Sequence, residues 1–270
     1  MRKVTTGWII ALMTLAIGLQ AVAEDDYWVE PMRKVHLEFD GQQGYVAQFG
    51  DSITNSMAFW KCFEWSNPEE YLPEDGLPKR PAKYTRWRDY IKGAGMKGKK
   101  YANFSRWTVK NLLEAVPGVL EREKPEAAII MIGTNDIRKG TVPPNYKDDL
   151  NKIIQLCIEA HCIPIVSTIP PRKGELDAVK ACNAIIKEAS VLNKVPLVDY
   201  YNAIIQRRSK DWYGTLIEKD GVHPRAIKKM NHVFTEENLN VSGFALRNFV
   251  TFLKFREVYF KVLAKQQVAR

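Results

Sequence analysis

The stretch Tyr45-Val46-Ala47-Gln48-Phe49-Gly50-Asp51-Ser52-Ile53-Thr54 decides how the rest of the chain is read. Residues 45–49 form an apolar run suited to a buried strand. Gly50 and Asp51 end it, and a helix is expected soon after, near 55–60. Similar runs recur at 127–132, 163–167 and 196–198. Helical patterns lie between them at 108–123, 146–160 and 175–192. A last long one covers about 243–263, with Phe244, Leu246, Phe249, Val250, Phe252, Leu253 and Phe255 as its apolar residues. Short apolar strands alternating with helices predict an α/β protein, with a parallel sheet covered on both faces. In such open sheets ligands bind outside the carboxyl ends of the strands. The residues directly after each strand are therefore the ones to inspect.

Composition bounds the answer from outside. The chain has 270 residues, 46% hydrophobic and 26% charged, which excludes disordered and fibrous classes. No internal repeat or Gly/Ser-rich linker divides it. The stretch 65–98 breaks the strand–helix rhythm and is rich in Pro, Lys, Arg and aromatic residues. It is expected to be a long surface excursion. One domain over about 35–265, after a lead-in at 24–34, is the simplest organisation.

Residues 1–23 read as a leader. Arg2 and Lys3 precede an apolar run from Trp8 to Leu19, and Ala21-Val22-Ala23 offers the small residues that a signal peptidase reads. The run is shorter than the roughly 20 residues of a membrane span. A secreted or periplasmic protein is expected, with no stable membrane insertion after cleavage. Removal of the two basic residues would lower the net charge from +9 to +7. The four cysteines, Cys62, Cys157, Cys162 and Cys182, include no CxxC pair; Cys157 and Cys182 lie among apolar residues of helical segments and read mostly as buried small hydrophobes, with a Cys157–Cys162 bridge as the alternative. There is no HExxH, no zinc-type Cys/His spacing and no Gly-rich phosphate loop after a strand, so no metal or cofactor is expected.

Three segments carry candidate chemistry. Gly50-Asp51-Ser52-Ile53-Thr54 puts a serine at a strand-to-helix turn, where helix N-terminal amides stabilise negative charge. An ordinary serine helix cap would look the same. Gly133-Thr134-Asn135-Asp136 places an amide side chain at another strand end, and as a string it also suits a plain turn. Asp220-Gly221-Val222-His223-Pro224 sets an acid three residues before a histidine in a tight loop. That spacing lets the acid fix the imidazole tautomer and stabilise the imidazolium. Of His36, His161, His223 and His232, only His223 has such a partner.

Together, in this order, the three segments resemble the SGNH hydrolases, also called GDSL esterases and lipases. The resemblance runs over most of the chain, from about Val35 to the last helix. It implies a three-layer α/β/α fold of the flavodoxin-like kind. It implies Ser52 as nucleophile, His223 as general base and Asp220 as its orienting partner. It further implies an oxyanion hole built from the Ser52 N–H, the Asn135 side chain and a glycine N–H.

The glycine block departs from that pattern. Tyr101-Ala102-Asn103-Phe104-Ser105-Arg106-Trp107-Thr108 resembles the family's Asn, Gly and Ser-Gly-x-Thr succession, and matching Ser105 and Thr108 puts Arg106 where the family has glycine. Arg106 keeps an N–H, but it would be strained if that position requires positive φ. A local shift of the alignment is the alternative.

The surroundings bear on substrate. From Lys79 to Lys110 there are eleven Lys or Arg against one acid, Asp89. Trp87 and Trp107 lie in this stretch, and Trp60 and Trp65 just before it. A solvated basic face with core tryptophans is one reading. A carbohydrate cleft with aromatic stacking and basic groups against anions is the other. Trp107 and Asp51 are then candidate substrate contacts, and the Arg106 guanidinium a candidate partner for an anionic group. The expected partner is an acylated small molecule or polysaccharide, not nucleic acid. A catalytically weak glycan-binding relative and a lipid acylhydrolase stay open as alternatives.

Overall fold

The structure, a computed structural model, describes residues 26–264, so the leader-like segment 1–23 lies outside the described residues. Strands β1 (Gln42–Gly50), β2 (Pro125–Met131), β3 (Ile163–Ser167) and β4 (Leu197–Val198) form a parallel sheet in that spatial order. Every residue of β2 and β3 is buried, as strands covered on both faces require. Gly50 pairs with Met131, Ile130 with Val166 and Ser167 with Val198, which brings the carboxyl ends to one common edge.

The outer side of β1 is also used. Val46 N–H donates to the Lys92 carbonyl at 3.1 Å, Lys92 N–H to Gly44 at 2.8 Å and Gly50 N–H to Ala102 at 3.0 Å. Segment 92–104 thus stands where a second strand would stand. With it, the spatial order is the flavodoxin-like one, edge segment, β1, β2, β3, β4.

Helix α1 (Val29–Leu37) precedes the sheet. Short α2 (Ser52–Asn55) and α3 (Trp87–Tyr90) follow β1. Helices α4 (Val109–Glu123), α5 (Tyr146–Glu159) and α6 (Leu176–Asn193) pack side by side on one face of the sheet. Helix α7 (Tyr200–Arg207), short α8 (Glu236–Leu239) and α9 (Gly243–Val258) follow, a π-helical turn at Tyr259–Leu263 extends α9, and α9 covers the other face with α1 and α7. The layers are α/β/α. All four cysteines are buried free thiols.

Three local expectations are corrected. Trp28, Val29 and Met32 are buried, so the fold begins ahead of residue 35 with a packed helix. The helix expected at 55–60 lies earlier and ends at Asn55. Asn248 of α9 is the reason: its Oδ1 accepts from Trp60 N–H at 2.8 Å and its Nδ2 donates to the Ala58 carbonyl at 2.9 Å. These bonds satisfy backbone groups that a longer helix would have paired. Finally, 65–98 is only in part a surface excursion: residues 73–76, 78–80, 82–83 and 85–86 are exposed, but the segment also reaches into the core. Trp87 and Tyr90 are buried, with Trp87 edge-on to Phe252 at 5.1 Å and Tyr90 to Tyr259 at 4.7 Å. Asp75 is clamped by the fully buried Arg256 at 2.7 and 2.9 Å. The aromatic face of α9 exceeds what the sheet alone can cover, and this segment covers the remainder.

Candidate active site

Three turns at the carboxyl edge of the sheet and one late loop converge on a cavity of about 540 Å³. The first turn ends β1. A Cβ on Gly50 would sit 2.3 Å from the Met131 carbonyl oxygen, so a side chain there would collide with β2. Asp51 caps α2 by accepting from Ile53 N–H at 2.9 Å. Ser52 is the first helical residue, and its own N–H finds no acceptor among the described residues, as befits a helix start.

The second turn is stitched to the end of β1. Buried Asn103 donates to the Gln48 carbonyl at 2.8 Å and accepts from Gly98 N–H at 2.9 Å, and Phe104 N–H reaches Gly50 at 3.2 Å. Arg106 has φ +68°, the region glycine enters freely. For a side-chain-bearing residue that conformation costs about 1–2 kcal/mol. The backbone demand anticipated for the glycine position is therefore present, and Arg106 meets it under strain. Its N–H also has no acceptor among the described residues.

The third turn follows β2. Gly133 has φ +126°, and a Cβ there would lie 2.8 Å from both Cys182 Sγ and the Tyr146 hydroxyl. Asn135 Nδ2 donates to the Trp107 carbonyl at 3.0 Å, which ties the second and third turns together. Its 3.5 Å approach to Asp51 Oδ2 is at best a weak bond. Asp136 accepts from Val109 N–H with both oxygens, at 3.1 and 3.2 Å, and so docks the start of α4. Burial pushes its carboxyl up to about 6 despite those bonds.

The late loop brings the histidine. Ser52 Oγ lies 2.9 Å from His223 Nε2, and His223 Nδ1 lies 2.6 Å from Asp220 Oδ2. Asp220 Oδ1 accepts from the Val222 and His223 N–H groups at 2.8 and 3.0 Å. Burial works to raise the Asp220 pKa, but the hydrogen bonds from the His223 side chain and from these two amides outweigh it and hold it below the usual value. Lys173 N–H binds the Gly221 carbonyl at 2.9 Å and moors the loop beside the end of β3. The His223 and Asp220 side chains are 42% and 48% exposed, so no segment among the described residues covers the pair.

Two basic side chains, the buried Arg247 and the half-buried Lys97, hold α2 from below. Arg247 donates to the Ile53 carbonyl at 2.8 Å and to Thr54 Oγ1 at 2.9 Å. Lys97 donates to the Thr54 carbonyl at 2.9 Å and to Gln48 Oε1 at 3.0 Å, and burial draws its pKa down to about 7. Positive charge at the carbonyl end of a helix interacts favourably with the negative end of its dipole.

Ser52, Arg106, Asn135 and His223 share the cavity wall, and Asp220 stands directly behind His223. Two expected substrate contacts do not reach it. Asp51 is fully buried, and burial pushes its carboxyl up to about 6 against the pull of its Ile53 amide bond and of Arg247. It is a cap, not a surface for ligand. Trp107 is half-buried against Phe104 and contributes its carbonyl to Asn135. Trp60 and Trp87 are core residues. The cavity wall includes two arginines that the sequence reading passed over, Arg138 and Arg172. Arg138 follows Asn135 by one helical turn's spacing, and Arg172 follows the carboxyl end of β3, which the strand-end rule singles out. Among the described residues no group of three or more His, Cys, Asp or Glu is placed to hold a metal ion.

Comparisons with known proteins bear on the family and the fold. The model of the GDSL-like lipase/acylhydrolase family matches residues 49–227. No curated protein matches the sequence. Among solved structures, the chain is similar to a lipase/acylhydrolase from Enterococcus faecalis, with TM-score 0.52 and 16% identity over 79% of this chain and 95% of that one. It is similar to the psychrotrophic esterase EstA from Pseudoalteromonas sp., with TM-score 0.51 and 14% identity over 79% and 97%. It is also similar to a mutant of Axe2, an acetyl-xylooligosaccharide esterase from Geobacillus stearmophilus, with TM-score 0.50 and 13% identity over 80% and 95%. At these identities the structures speak for the fold alone. The family model, by contrast, spans the serine turn, the glycine block, the asparagine turn and the histidine loop, and on that match the chain belongs to the GDSL-like lipase/acylhydrolase family.

Proposed function

We propose that the protein is a secreted or periplasmic serine ester hydrolase that removes small acyl groups, such as acetate, from a carbohydrate or other small ester. The observation that carries this reading is the Ser52–His223–Asp220 chain, 2.9 and 2.6 Å long, facing a cavity with unpaired backbone donors. A neutral serine hydroxyl is a weak nucleophile until a base takes its proton. His223 Nε2 takes it as Oγ attacks the acyl carbon. Asp220 keeps the proton on Nδ1 and stabilises the imidazolium. The tetrahedral oxyanion is received by the Ser52 and Arg106 N–H groups and the Asn135 amide. His223 then protonates the departing alcohol, and the same steps run with water release the acid. The leader-like residues 1–23 support export, and among the described residues no helix is long and apolar enough to cross a membrane. Asp220 and His223 stand open to solvent without an apolar cover, which favours a small acyl group over a lipid chain.

Release of p-nitrophenol from a series of esters tests the reading. The acetate should be hydrolysed with a kcat/KM at least equal to that of the decanoate, because a site that buries none of the longer chain gains nothing from its extra methylenes. A preference for the decanoate would indicate a lipid acylhydrolase. No turnover of any ester would leave a binding protein.

Asn135→Ala should lower kcat by roughly 100- to 1,000-fold with little change in KM, because its donor acts on charge present only in the transition state. A loss confined to KM would reassign Asn135 to substrate binding.

A further inference from the structure

We propose that Arg106, Arg138 and Arg172 form an anion clamp around Ser52, and that the ester cleaved there is an O-acylated acidic glycan, one whose sugar units carry carboxylates. The proposal rests on the serine-esterase reading and narrows its substrate.

The three guanidinium-bearing residues come from three separate segments, the loop before α4, the turn after β2 and the loop after β3, yet all line the cavity that holds Ser52 and His223. Arg172 is aimed by a 2.6 Å bond to the Thr134 carbonyl. Among the described residues none of the three pairs with a carboxylate. Arginines gathered at one wall without counter-charge repel one another, and an anionic ligand removes that cost while accepting their forked donors.

The backbone at Arg106 is a second observation. A residue held in the left-handed region at a site that glycine would occupy freely points to a use for its side chain. The N–H at that position does not need arginine, whereas an anion does.

The shape argues for an extended ligand. A second cavity of about 570 Å³ adjoins the first through shared Asn135 and Arg138 and adds Lys110 and Lys139. The acid on its wall, Asp136, has both oxygens engaged by Val109 N–H at the start of α4. A single anionic acyl group needs one cation. Positive charge spread along two adjoining cavities matches anions repeated along a chain, which places the charge on the alcohol side of the ester.

The test compares acetate release from O-acetylated polygalacturonate and from acetylated xylooligosaccharides, using wild type, Arg138→Gln and the Arg138→Gln/Arg172→Gln double variant. The readout is the ratio of kcat/KM for the two substrates, which cancels a general loss of activity. Wild type should prefer the acidic substrate by at least about tenfold. Each lost cation should lower the ratio by about tenfold, as expected for one charge-assisted hydrogen bond. Salt should weaken turnover of the acidic substrate only. Arg138 is exposed and its side chain holds no bond, so the single variant tests the proposal even if the double variant folds poorly. Calorimetric binding of unacetylated oligogalacturonate to wild type, about tenfold or more weaker for each variant, provides a readout independent of turnover. Equal or faster turnover of the neutral substrate, or variants with the wild-type ratio, would overturn the clamp and leave the esterase standing. Tight, charge-dependent binding with no turnover of any ester would overturn the esterase reading and keep the clamp.

Discussion

Ser52→Ala should abolish ester hydrolysis, with a fall in kcat of about 10⁴- to 10⁶-fold, the range seen when a nucleophile is removed from a triad that works as a unit. The fold should be untouched. Ser52 Oγ is half-buried, and its bond is to His223 Nε2, with no part in the cap that starts α2. That cap is made by Asp51, and α2 is held from below by Arg247 and Lys97. Near-ultraviolet circular dichroism and the melting temperature should therefore match the wild type within experimental error. Turnover by the alanine variant within a factor of ten of wild type would show that another group attacks the acyl carbon.

His223→Ala should cost a similar factor, because an unassisted hydroxyl cannot shed its proton as it attacks. Added imidazole should restore part of the activity, since the His223 side chain is 42% exposed and the space it leaves is open to solvent. The pH dependence has a definite sign. His223 must be neutral to accept the proton, so wild-type kcat/KM should fall as the solution is made acid enough to form the imidazolium. Asp220 does not set this limb. Burial opposes its ionisation, but the bonds from His223 and the loop amides prevail, so it stays ionised well below the pH at which a histidine charges. A profile that is flat through the acid range, with chemistry rate-limiting, would remove His223 from the base role. Failure of imidazole to rescue the alanine variant would show that the loop has collapsed, which its melting temperature would report.

The fold class was legible in the sequence because buried parallel strands advertise themselves as uninterrupted apolar runs. The run at 163–167 coincides with β3, and those at 45–49 and 127–132 fall on β1 and β2 with small end shifts. The four polar residues Ser52, Asn135, Asp220 and His223 were legible for a related reason. Turn chemistry needs Gly, Asp and Asn at short spacing, and those strings survive in one dimension.

Other features were settled only in three dimensions. No local pattern says that 65–98 covers the aromatic face of α9, since the demand comes from a helix that begins only at Gly243. Asp51 looks like a site residue because it precedes Ser52, yet a helix cap turns its carboxylate inward, where it is fully buried. Arg138 and Arg172 lie 34 residues apart in the chain and carry no motif, and it is the parallel register of β2 and β3 that brings them to one wall. Arg106 divides between the two. Its place in the glycine block is a matter of sequence, while its positive φ is imposed by the packing of its loop against the end of β1, through Asn103 and Phe104. Local propensity determined the strands and turns of this protein. Its charged crevice was decided by long-range strand pairing, which alone sets the distances between side chains far apart in sequence.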